Sequence, residues 1–183
     1  MAWPDRKTSR LRFGRISLPN AIYFITCCTK GRAPVLLESN TAKTTTDTLK
    51  IMHAAGDMDL LAATVMHDHV HMLFALGARL QVGQIMGKFK SKARDLGNTS
   101  WRWQDDGFEH RLRSTESIED YGFYIFMNPY RAGLCPLTDQ WPWWQCPRPS
   151  IFRFAAEGDH TQPVPEAWLG LCDKVAAKIK LRE

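Results

Sequence analysis

Two short apolar runs, residues 60–66 (LLAATVM) and 70–76 (VHMLFAL), are divided by only three polar positions, His67, Asp68 and His69. Runs of this length with β-branched and aromatic members read as strands, and three polar residues suffice for a reversal, so the pair predicts an antiparallel hairpin. The other elements are fitted around it.

Upstream, residues 21–29 (AIYFITCCT) are rich in β-branched and aromatic side chains and leave through Lys30, Gly31 and Arg32, which predicts a central strand ending in a turn. Residues 39–55 carry a weak helical stripe through Leu49 and Met52, with Ser39 or Asn40 as the cap and Gly56 as the stop. After the hairpin, Val82, Ile85, Met86, Phe89, Ala93 and Leu96 recur at helical spacing, and the helix they predict stops near Gly97 and Asn98. Residues 101–113 show no clear period and are expected as an ordered loop or short strand. Ser117 with Asp120 three positions on is a helix-start pattern, and the helix should pass through Tyr121, Tyr124 and Ile125 toward Asn128. Pro129 disfavours α conformation at Asn128, so an end or kink is expected there, followed by a new turn from Pro129 to Gly133. A last stripe, Trp168, Leu171, Cys172, Val175, Ala176 and Ile179, predicts a tail helix reached through a proline-bearing linker. The order of elements predicts an α+β protein, an antiparallel sheet with helices packed on it, with ferredoxin-like topology as the nearest named arrangement.

The chain of 183 residues, 44% of them hydrophobic, is long enough for one substantial core and short for two. The expected division is one domain over residues 1–155 with a basic amino-terminal arm, and a tail helix on a linker over residues 156–183. No run approaches the roughly 20 apolar residues of a membrane span, and no apolar signal-peptide centre follows the amino terminus. A cytoplasmic protein without a membrane partner is expected. Five cysteines without a CxxC pair argue against a disulfide framework or a zinc knuckle. The net charge of +5 suits a polyanionic partner, and its distribution says more, because Arg6, Lys7, Arg10, Arg12 and Arg15 crowd the arm while Lys88, Lys90 and Lys92 follow on one helix.

His67, His69 and His71 recur at period two, so those inside the strand point the same way, and two imidazoles on one sheet face can share a metal if a third ligand arrives from another element. Tyr124 and Asn128 are four apart on the later helix and share a face. Spacing alone leaves open a structural role for the histidines and a packing role for the tyrosine. Phosphodiester cleavage would use both sets: a phenol with a pKa of about 10 is a weak nucleophile near neutrality, and a cation on the phosphate would draw charge from phosphorus.

The ordered blocks MHDHVHMLFAL (66–76), KFKSKA (88–93), WQDDGFEHRLR (103–113) and YIFMNPYRAGL (124–134) resemble the HUH transposases with a single tyrosine, and most of all their REP-associated branch. The resemblance runs from YFITCCTKGRAP (23–34) past the WPW at 141–143. It implies the HUH endonuclease form of the ferredoxin-like fold, His69, His71 and Asn128 as metal ligands, Mg²⁺ or Mn²⁺ as the ion, and Tyr124 as the nucleophile. His67 stands where the family often has proline, and Tyr130 where an aliphatic residue usually follows the NP pair. Tyr121, one turn earlier, is the rival nucleophile, and the family block argues against it.

The resemblance further implies a metal-dependent endonuclease and strand transferase that acts on single-stranded DNA hairpins, REP-like palindromes, through a 5′-phosphotyrosine intermediate. The residues expected to contact DNA are Arg6, Lys7, Arg10, Arg12, Arg15, Lys88, Lys90 and Lys92; Trp101, Trp103 and Phe108 are of the type that more often fills a core, and would otherwise offer faces for unstacked bases. A monomer is expected in preference to a homodimer. The alternative from another class is a non-catalytic protein of the same fold that holds a structured nucleic acid.

Overall fold

A computed structural model describes residues 17–95, 101–156 and 163–179. The aromatic and β-branched residues after Asn20 form β1 (Ile22–Cys28), and the hairpin appears as β2 (Met58–Val65) and β3 (His69–Leu76). Between them lies helix α1 (Ser39–Ala54), and β3 leads into α2 (Val82–Asp95). Two short strands, β4 (Phe108–Arg111) and β5 (Trp144–Gln145), complete a five-stranded antiparallel sheet in the order β4-β1-β3-β2-β5. The first four strands with α1 and α2 follow the ferredoxin-like β-α-β-β-α-β plan. The α+β expectation holds.

Alternation along the strands splits the core into two layers. Tyr23, Ile25, Val70, Met72 and Phe74 face α1 and α2, where Leu49, Met52, Ile85 and Phe89 cover them. Phe24 and Leu73 face the other way, against α3 (Ile118–Arg131) and α5 (Ala167–Ile179); α4 (Arg153–Ala156) completes that layer with Phe154 and Ala155. A register shift between Leu60 and Ala62 in β2 turns both Leu61 and Ala62 toward α3. His69 and His71 lie in phase with Leu73, so both imidazoles point into the α3 layer.

Two expectations need correction. α1 begins at Ser39 with Glu38 in the cap position and no side-chain cap hydrogen bond, so neither Ser39 nor Asn40 caps it. Its exit does follow the sequence, with Gly56 in the left-handed region at φ 67°. α3 does start on Ser117, whose Oγ accepts from the Asp120 N–H at 3.4 Å, but it runs on through Pro129 to Arg131 without stopping at Asn128. Met127, Asn128, Pro129 and Tyr130 are all buried, and tertiary packing of this turn outweighs the one helical hydrogen bond that proline removes. The helix closes at Gly133, φ 68°, where the N–H groups of Gly133 and Leu134 return to Tyr130 and Pro129 carbonyls.

Trp101 and Trp103 are buried with Phe89, whose ring centroid lies 5.5 Å from that of Trp103, so they are core residues and present no face to a base. The stop expected near Gly97 and the arm residues Arg6, Lys7, Arg10, Arg12 and Arg15 lie outside the described residues. Among the described residues no helix is long and apolar enough to cross a membrane.

Candidate functional site

β3 and α3 meet at His71. The Nε2 atoms of His69 and His71 stand 3.0 Å apart, and the Asn128 side-chain amide lies 3.2 Å from His71 Nε2. Tyr124, one turn before Asn128, packs its ring 5.6 Å from that of His71, centroid to centroid. The structure therefore brings together all four residues that spacing and resemblance had singled out.

The outer nitrogens are also engaged. His69 Nδ1 donates to Asp68 Oδ1 at 2.5 Å, and His71 Nδ1 lies 2.8 Å from Thr26 Oγ1 on the neighbouring strand, in the pair Thr26↔His71. Fixing Nδ1 in this way is how ligating imidazoles are usually oriented. In the tautomer that carries its proton on Nδ1 in both rings, the two Nε2 lone pairs face one point, which is repulsive unless a proton or a cation lies there. Burial, then the charges of His69 and Arg32, hold the His71 pKa well below its ordinary value, which favours the neutral ligand form.

Donors at about 2.1 Å from a six-coordinate cation and at right angles are roughly 3.0 Å apart, close to the separations of His69 and Asn128 from His71. Turning the Asn128 amide by half a rotation presents its oxygen in place of its nitrogen, an assignment that only the hydrogen-bond network decides. The carboxyl end of α3, whose Ala132 lines the adjoining cleft, adds a partial negative potential that also favours a cation. The donor set thus fits a divalent metal, although two imidazoles and an amide oxygen do not select one ion.

Beside this cluster lies an open cleft of about 420 Å³ lined in part by Arg32, His67, Asp68, His69, Asn128 and Arg131. Burial works against ionisation of Asp68, but hydrogen bonding to His69 and the charges of His69 and Arg32 outweigh it and keep the carboxyl below its ordinary pKa. Tyr124, by contrast, is 1% exposed and does not line the cleft. Tyr121 is further from serving as a nucleophile: its hydroxyl donates to Glu116 Oε1 at 3.1 Å, and burial, then the Glu116 charge, raise its pKa.

The lysines expected at DNA lie elsewhere. Lys88 pairs with Asp57 at 2.5 Å and Lys90 donates to the carbonyls of Gln104 and Asp105, while Lys92 shares the same helix, α2, on the sheet face opposite His69 and His71. Sequence reading assigned no role to Asp68, Thr26 or Arg131. Asp68 had a signal, since it adjoins His69, but Thr26 becomes visible only through strand register.

Residues 17–108, just over half of the chain, match the model of a family described as IS200-like transposases, a span that includes His69 and His71 and ends before Tyr124 and Asn128. Among solved structures, the chain is similar to a REP-associated tyrosine transposase bound to a REP hairpin, at 19% identity and a TM-score of 0.62, over 71% of this chain and 79% of that one. A protein from Deinococcus radiodurans R1 is 20% identical over 55% of this chain and 85% of its own, with a TM-score of 0.46, too low to carry an argument. No curated protein matches the chain. The likeness in structure speaks for the fold.

Proposed function

This chain belongs to the IS200-like transposase family, and on that premise we propose that it nicks and rejoins single-stranded DNA at hairpin-forming, REP-like palindromes, with Tyr124 as nucleophile. The observation that carries the reading is that His69 Nε2 and the Asn128 amide both stand at His71 Nε2, 3.0 and 3.2 Å away, with Tyr124 one helical turn before Asn128. His69 and His71 would hold Mg²⁺ or Mn²⁺ through Nε2 and Asn128 through its amide oxygen. The bound ion supplies charge withdrawal from the scissile phosphate.

The Tyr124 phenol oxygen attacks phosphorus, the bond from phosphorus to the 3′ oxygen breaks, and the phenol proton is made up on that oxygen through solvent. A 5′-phosphotyrosine and a free 3′ hydroxyl result, and a second 3′ end reverses the step. Because Tyr124 is 1% exposed, entry of the strand has to uncover its hydroxyl. A monomer acting in the cytoplasm is part of the same proposal. The basic arm, Arg6, Lys7, Arg10, Arg12 and Arg15, together with Lys88, Lys90 and Lys92 on the far layer, would track the hairpin's phosphates at a distance from the reaction.

The test is incubation with a labelled hairpin that carries a single-stranded flank, with Mg²⁺ or Mn²⁺, followed by a denaturing gel. A covalent adduct that disappears in Tyr124→Phe and with chelator is expected. Binding without an adduct across hairpins and metals would leave the non-catalytic alternative in its place.

A further inference from the structure

Resting on the reading above, in which a single strand enters the cleft beside His69, we propose that Arg32 and Arg131 form a two-guanidinium site in that cleft for a backbone phosphate adjacent to the linkage that Tyr124 cuts.

The two arginines come from different elements, the turn that follows β1 and the last turn of α3, and both line the cleft. Arg131 is three residues beyond Asn128, so the helix carries it on the same side, one step nearer the open end. Each guanidinium is aimed by a carboxylate from a third element. Asp68 Oδ2 lies 3.4 Å from Arg32 Nη1, and Asp173 Oδ1 of α5 accepts from Arg131 Nε at 3.1 Å. Both arginine side chains keep more than a third of their surface open, 45% and 39%, so donors stay available to a ligand.

The two anchors differ in kind. Asp68 is nearly buried and spends its other oxygen on His69 Nδ1, so a single carboxylate links Arg32 to the imidazole next to the reaction. Arg32 also sits in the left-handed region at φ 56°, directly after Gly31 at φ 66°. Side chains rarely adopt this backbone, and a strained arginine at the mouth of a cleft is the sort of outlier that marks a ligand contact. Asp173, in contrast, is 69% exposed, and an ion pair in that much water is weak. A phosphate, which accepts the guanidinium fork through two oxygens, displaces it. Arg32 is then the fixed half of the site and Arg131 the half that changes partner when the strand arrives.

The experiment is fluorescence anisotropy with a labelled hairpin and single-stranded flank, in chelator so that nothing is cut, using full-length wild type, Arg32→Gln, Arg131→Gln and Asp173→Asn. Each arginine variant should bind about tenfold more weakly, with the log–log salt slope reduced by about one. Asp173→Asn should bind more tightly, since it removes the competitor. A series of oligonucleotides with single methylphosphonates should then show one flank position at which wild type loses about tenfold and Arg131→Gln loses nothing further. Arginine variants that bind like wild type, or a methylphosphonate profile unchanged between wild type and both variants, would overturn the proposal. If wild type forms the Tyr124 adduct while the profiles coincide, only the phosphate site falls. If wild type binds no such hairpin, the site and the reading beneath it fall together.

Discussion

The Asp68 carboxylate stands 2.5 Å from Nδ1 of His69, the residue next to it in sequence, and by holding that nitrogen it turns Nε2 toward His71. Removing such a support usually costs metal affinity without removing a ligand. Asp68→Ala should therefore weaken Mn²⁺ binding by about 10- to 100-fold in titration calorimetry, with His69, His71 and Asn128 all intact. Affinity within twofold of wild type would show that Asp68 does not orient His69.

Tyr121 and Tyr124 are one helical turn apart, and their surroundings assign them different work. The Tyr121 hydroxyl is spent on Glu116 and its ring stacks on His110 at 5.8 Å. Tyr121→Phe should keep covalent capture of DNA while lowering the free energy of unfolding by roughly 1 kcal/mol, the cost of one partly buried hydrogen bond. Loss of capture with unchanged stability would reverse the assignment of the two tyrosines.

Gly122 lies between them and faces Phe152, so that a Cβ there would come within 2.6 Å of Cδ1 and 2.7 Å of Cζ of a ring that is wholly buried. In an open helix Gly→Ala adds about 1 kcal/mol of stability. Here overpacking should reverse the sign, and Gly122→Ala should lose about 1–3 kcal/mol by denaturant unfolding. A more stable variant would show that α3 can move away from residues 149–156.

Glu116 gives the stability a dependence on pH. Burial would raise its pKa, but the Arg113 N–H, His110 and the Tyr121 hydroxyl all donate to it and bring it below its ordinary value of 4.5. A carboxyl depressed in the folded state contributes stability above its unfolded pKa, and that contribution is lost as pH falls through the folded value. Wild type should therefore lose stability on acidification below about pH 4.5, and Glu116→Gln should lose less over the same range. Parallel pH profiles for the two proteins would remove Glu116 from the account.

Much of this molecule was legible from local pattern. The two apolar runs that flank residues 67–69 specify the hairpin, and the period of two within a strand sends His69 and His71 to one face, because strand geometry leaves a side chain no other choice. The stripe from Val82 to Ala93 and the cap at Ser117 are likewise local facts. The ordered blocks around the HxH pair and the YIFMNP stretch led to a family that the match over residues 17–108 shows.

What the tertiary structure decided is how distant segments meet. The turn from Met127 to Tyr130 stays helical across Pro129 because burial outweighs a local preference, and this extension sets Asn128 beside His71. Thr26 supports His71 only because β1 and β3 pair in one register, and Arg32 and Arg131, 99 positions apart, share a cleft only because the chain is folded. Periodicity records which way a side chain points within its own element. Register and packing join elements far apart in the chain, and no local run of residues encodes the distance between them.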